Sequence, residues 1–179
     1  MEIDLRTVAI KPVRQTFDHI ARRFGDKPAS RYQEGSYDLQ QTDIFHYRPM
    51  WEPELQLFDP RRTKVQMKDW YALKDPRQFY YGAWTIARSR QQDAADSSFE
   101  MIEERGLAAM IPADQKQLAL DVLVPLRHME WGANMGNSFI AAYGYGTVIT
   151  QTCLYHAMDH LAVAQYLTRI GLVLEGPEA

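Results

Sequence analysis

Residues 147–174 read TVITQTCLYHAMDHLAVAQYLTRIGLVL and are followed by Glu175-Gly176-Pro177. The run predicts one long helix that stops at that Glu-Gly-Pro. Val148, Ile149, Leu154, Met158, Leu161, Val163, Leu167, Ile170 and Leu172 spread over more than one of its faces. A helix apolar around most of its circumference needs neighbours on several sides. Two long companions from this chain can hardly enclose it.

Those companions precede it. Asp75-Pro76 reads as a cap followed by proline at the first helical position, and RQFYYGAWTIARSRQQDAADSSFEMIEERG continues to a stop at Gly106. About 30 residues at 1.5 Å each give a helix of about 45 Å. A second run starts near Pro112 and Asp114 and carries QLALDVLVPLRHMEWGANMGNSFIAAYG, kinked by Pro125 and weakened by Gly132, Gly136, Gly144 and Gly146. Helices over about 76–105, 113–143 and 147–174, joined by short turns, predict an all-α bundle of antiparallel neighbours. No repeat, low-complexity tract or strand-rich region competes with it.

Residues 1–75 differ in kind. Pro28, Pro49, Pro53, Pro60 and Pro76 each block a continuous helix, yet residues 32–81 hold about half of the chain's aromatic side chains. A disordered linker would be poor in them. The segment predicts an extended aromatic arm, with a short helix over about 12–24 whose stripe is Val13, Phe17, Ile20 and Phe24 and whose stop is Gly25. Its apolar surface can be buried against another chain, with Trp, Tyr and Arg as anchors, or folded back over the chain's own helices. The organisation is therefore an arm, 1–75, and a helical portion, 76–179.

Composition excludes several classes. With 179 residues, 46% hydrophobic and 24% charged, the chain is an ordinary globular one, and its net charge of −3 offers no footprint for nucleic acid or an acidic membrane. The lone Cys153 suits a reducing compartment. MEIDLRTVAI carries acidic residues where a signal peptide needs basic ones, and no segment reaches the apolar length of a membrane span. The expectation is a cytoplasmic protein.

Within 147–174, His156, Asp159 and His160 form His-x-x-Asp-His, close to the inverted zincin pattern H-x-x-E-H. On a helix the two imidazoles share a face and could hold zinc, with Asp159 as base and a distant third ligand. Asp is a methylene shorter than Glu, and a histidine pair on a helix is more often hydrogen-bonded structure. The di-iron pattern of helical bundles, two Glu and two Glu-x-x-His, is absent, because no Glu is followed by His three residues later; Glu130 comes nearest, with Ala133 at the histidine position. Gly144-x-Gly146 lacks the strand and helix of a phosphate loop, and Cys153 among apolar residues reads as a structural thiol.

HIARRFGDKPASRYQEGSYD (19–38), FHYRPMWEPE (45–54), DWYALKDPRQFYYGAW (69–84), LVPLRHMEWGANMGNS (123–138) and AMDHLAVAQYLTRIGLVLEG (157–176) together resemble the beta subunit of the hydroxylase component of bacterial multicomponent phenol hydroxylases. That group lies within the toluene, phenol, alkene and methane monooxygenases. The resemblance implies a ferritin-like bundle, incomplete in this chain because family members run well beyond it, and no catalytic, cofactor or metal residue here. It implies a di-iron centre on a partner alpha subunit, a gamma subunit, a regulatory protein, and a separate reductase carrying FAD and 2Fe-2S that draws on NADH. The reaction implied is hydroxylation of phenols to catechols with O2. The residues expected to contact the alpha subunit are His46, Tyr47, Arg48, Trp51, Trp70 and Tyr71.

Overall fold

A computed structural model describes residues 16–37, 50–56, 59–69 and 72–176. Its elements are helices α1 (Asp18–Phe24), α2 (Arg31–Ser36), α3 (Tyr81–Glu104), α4 (Ala113–Leu118), α5 (Leu126–Tyr143) and α6 (Thr147–Glu175), with short 3₁₀ turns at Pro60–Arg62 and Leu107–Met110. The described residues contain no strand, so the protein is all-α there.

α6 is the shared element. Glu130 meets His160, and Asn134 donates to the Ala157 carbonyl at 2.7 Å, so rising numbers on α5 meet falling numbers on α6 and the two are antiparallel. Against α3 the numbers rise together. Trp84 meets Tyr155 and Asp159, Arg88 and Gln92 meet Tyr166, and Asp96 and Glu103 meet Arg169. α3 therefore runs parallel to α6, the expected result when one antiparallel run lies between them in sequence.

The helix boundaries have local causes. Asp75 does cap, but it caps a turn: its carboxylate accepts from the Arg77 N–H at 3.0 Å and the Phe79 N–H at 2.7 Å. Gln78 then takes a φ of 50°, in the left-handed region that interrupts an α-helix, so α3 begins at Tyr81 rather than near 76. In the second run Val124 N–H reaches back five residues to the Ala119 carbonyl at 3.0 Å, making a π turn over Ala119–Leu123 just before Pro125. The wide turn accommodates the proline, which has no N–H to offer, and the expected kinked run becomes α4, a π turn and α5. Gly144 and Gly146 make a tight corner. A Cβ on Gly144 would lie 2.5 Å from the Ile140 carbonyl oxygen, and Gly146 has a φ of 96°.

The N-terminal segment supplies a second, smaller core. Ile20, Tyr32 and Tyr37 are buried together, flanked by Phe24, Ala29 and Tyr80. α2 is fixed at its start by a capping box between Ser30 and Gln33. The Tyr32 hydroxyl accepts from the Asp75 N–H at 2.9 Å, and Ser36 donates to Gln151 of α6 at 3.0 Å. Residues 16–37 thus fold back onto the first turns of α3 and α6. The helix expected over 12–24 appears as Asp18–Phe24, because Phe17 is extended, with φ −74° and ψ 151°; residues 12–15 lie outside the described residues.

Candidate interaction surface

The His-x-x-Asp-His residues diverge. His160 Nδ1 pairs with Glu130 of α5 at 2.5 Å, whereas Asp159 accepts from the Trp84 indole N–H of α3 at 3.2 Å. Three residues of helix turn through about 300°, which leaves Asp159 about 60° from His156 on the side away from His160. The histidine rings do meet, with centroids 4.2 Å apart. Among the described residues, no group of three or more His, Cys, Asp and Glu side chains could hold a metal. Glu130, the position nearest to Glu-x-x-His, is spent on the pair with His160. What the motif builds is cohesion: one polar tie to each neighbouring helix, beside a Trp84–Tyr155 stack at 5.5 Å and 9°. Cys153 is half-buried, and burial pushes its thiol pKa up, so little thiolate is available as a nucleophile.

The outer faces are less complete. On α5, Trp131, Met135 and Phe139 recur every four residues and are exposed, at 53%, 59% and 52%. Leu154, Leu161, Val163 and Leu172 of α6 are also exposed. At one end of α5 a cleft of about 1220 Å³ opens among Arg127, His128 and Trp131 of α5, Ile102 of α3 and Thr168 and Leu172 of α6. At the other end the stripe runs into Trp51, whose ring lies 6.1 Å from Phe139 and meets Tyr143 edge-on at 5.1 Å.

Trp51 is the one described residue among the six expected at the partner contact; His46, Tyr47, Arg48, Trp70 and Tyr71 lie outside the described residues. The loop that presents it is tied by its own charges. Arg62 pairs with Glu52 and donates from Nε to the Gln56 carbonyl at 3.1 Å. Arg61 pairs with Asp59 at 2.6 Å and also reaches the Glu54 carbonyl. The Arg61 side chain, then its backbone N–H, hold the Asp59 carboxyl well below the usual carboxylate range. Between this loop and α5 lies a recess of about 460 Å³, lined by Trp51, Leu55, Arg62, Lys64, Phe139 and Tyr143 among others. Of the residues lining this recess, Trp51 is among the six expected at a partner contact, and Arg62 and Lys64 are not. The available signal was the basic run Arg61, Arg62 and Lys64 soon after Trp51-Glu52.

Residues 51–178 match the sequence model of the methane/phenol/alkene hydroxylase family. The chain is 51% identical over 176 residues to the oxygenase component MhpL of phenol 2-monooxygenase from Acinetobacter pittii, covering 98% of this chain and 53% of that protein. It is 49% identical, with the same coverage, to the oxygenase component DmpL of phenol 2-monooxygenase from a Pseudomonas species. Among solved structures, xenon-pressurized phenol hydroxylase from Pseudomonas sp. OX1 matches with a TM-score of 0.86 and 48% identity, over 98% of this chain and 53% of that one. The chain spans about half the length of the curated relatives it matches.

Proposed function

Because the chain belongs to the methane/phenol/alkene hydroxylase family, we propose that it serves as the non-catalytic beta subunit of an NADH-dependent di-iron phenol hydroxylase. Its all-α fold is the ferritin-like bundle of the matching phenol hydroxylase structure. The observation that carries the proposal is 51% identity to a phenol 2-monooxygenase oxygenase component along 98% of this chain.

In this reading the O2 chemistry that turns phenols into catechols belongs to an alpha subunit with the di-iron centre. Electrons come from NADH through a separate reductase with FAD and 2Fe-2S, and a gamma subunit and a regulatory protein complete a cytoplasmic system. Residues 1–75 act as the arm that reaches alpha, through His46, Tyr47, Arg48, Trp51, Trp70 and Tyr71. Residues 76–179 act as the helical portion packed beside it. The reading is supported by two observations: among the described residues, Glu130 and His160, from facing helices, are paired with each other, and the sequence holds no Glu-x-x-His. The chain's part is positional. It braces partner helices whose iron ligands must be held within about 0.5 Å.

Copurification with the alpha subunit tests this. Trp51→Ala is expected to weaken the association by about 2 kcal/mol, as loss of a central aromatic anchor does; an unchanged affinity counts against the assignment. The family's name also covers methane and alkene hydroxylases, and a toluene or alkene monooxygenase is the second reading. The named phenol 2-monooxygenase relatives favour phenol, and product analysis of the assembled system separates the two. An independent zinc hydrolase finds no support in the geometry, since Asp159 is held by Trp84 and turned away from His160.

A further inference from the structure

We propose that the cavity of about 240 Å³ between α3, α4, α6 and the turns at Leu107–Met110 and Ala119–Leu123 binds one small, uncharged apolar molecule of the size of benzene. The site lies at the far end of α5 from Trp51. It goes beyond the beta-subunit reading and does not depend on it.

The lining selects the ligand class. Phe99 and Ile102 come from α3, Ala108 from the 3₁₀ turn, Ala119 and Leu123 from the π turn, and Ile170 from α6. Nine of the ten lining residues carry hydrocarbon side chains, and the tenth, Lys116, presents only its methylenes here. An ordered water needs two or more polar partners, and none is offered. An apolar cavity on the order of 150 Å³ stays dry and takes up benzene, so this volume suffices. With no charge and no hydrogen-bonding group in the walls, a polar ligand would lose its hydration without compensation. The gap also has a cause. A π turn carries one residue of surplus and widens the backbone, and such turns recur at functional sites. Ala108 and Ala119 line the cavity from two separate elements, where larger side chains would fill it. Unfilled apolar volume is unfavourable, and nothing else in the packing of these elements requires alanine at both positions. Entry is open at Ile111 and Leu123, which are 38% and 39% exposed, while Phe99, at 8%, closes the inner side. The adjoining cleft of about 1220 Å³ is different in kind, since Glu103, Arg127, His128 and Arg169 line it and keep it wet.

The test titrates benzene into the full chain with its isoleucine methyl groups labelled for NMR. The Ile102 and Ile170 signals are expected to shift and saturate, while Ile86, exposed on α3 outside the cavity, stays still. Ala119→Leu and Ala108→Leu fill the space from different elements, and each is expected to weaken benzene binding about tenfold or more. A filled variant is also expected to melt higher than the wild type in the absence of benzene, because a side chain replaces empty volume. Shifts that grow linearly without saturation, or that appear equally at Ile86, show partitioning onto exposed apolar surface and overturn the inference. Saturable binding that survives in a folded filled variant places the molecule elsewhere and overturns it too. Benzoate binding more tightly than benzene would reveal a cationic group in the site, which overturns the apolar assignment.

Discussion

Asp59 owes its acidity to Arg61. Hydrogen bonds from that side chain and its N–H lower the carboxyl from its ordinary 3.8. A carboxyl depressed in the folded state contributes stability above its unfolded value, and the contribution is lost only as pH falls through the lower folded value. The loop over residues 52–62 is therefore expected to keep its amide protection at Arg61 and Arg62 through the pH at which ordinary carboxylates protonate. In Asp59→Asn that protection should already be weak at neutral pH. Hydrogen exchange followed from neutral to acid pH checks this, and loss of protection near 3.8 in the wild type would contradict it. At the same scale, the His-x-x-Asp-His spacing was readable but its partners were not. Glu130 lies 30 residues before His160 and Trp84 lies 75 before Asp159, so the bundle had to be assembled before the motif's meaning could be read.

Helix ends were legible where they rest on backbone chemistry that a residue type dictates. The Gly144-Tyr145-Gly146 corner and the stop at Gly176 follow from glycine, and the break near Pro125 from proline. The late start of α3 was not legible, because it depends on Gln78 adopting a positive φ, which no residue preference announces. Nor was the π turn, since one residue of surplus in a helix leaves no compositional mark. Two glycine substitutions separate the roles. Gly146→Ala places a Cβ on a residue with φ 96° and is expected to destabilise the chain by about 1–2 kcal/mol. Gly132→Ala, in α5 with nothing within 4 Å of the added carbon, should stabilise it by about 0.5–1 kcal/mol. Thermal unfolding measures both; a Tm that moves the same way for the two variants would refute the contrast.

For the molecule as a whole, the sequence already indicated that α6 has more apolar surface than two companions cover. Leu154, Leu161, Val163 and Leu172 remain exposed on α6, as do Trp131, Met135 and Phe139 on α5. Large exposed apolar patches mark contacts or aggregation. Expressed alone, the chain is expected to bind a hydrophobic dye and to self-associate, and to lose both properties when copurified with alpha; a dye-silent monomer would count against it. The recess at Trp51 was illegible for the opposite reason: Trp51, Leu55 and Arg61–Lys64 meet Phe139, Tyr143 and Ile149 there, far along the chain. That difference in sequence distance extends to kinetics. α5 and α6 are joined by three residues and contact each other antiparallel, so their hairpin can close with little loss of chain entropy. α3 must instead find α6 in parallel, across the whole intervening run, through polar and aromatic groups such as Arg169 over Phe99. Because loop closure must be met before distant contacts reward it, the α5–α6 hairpin is expected to form before α3 docks onto it, with higher φ-values at the α5–α6 contact than at Trp84 or Phe99.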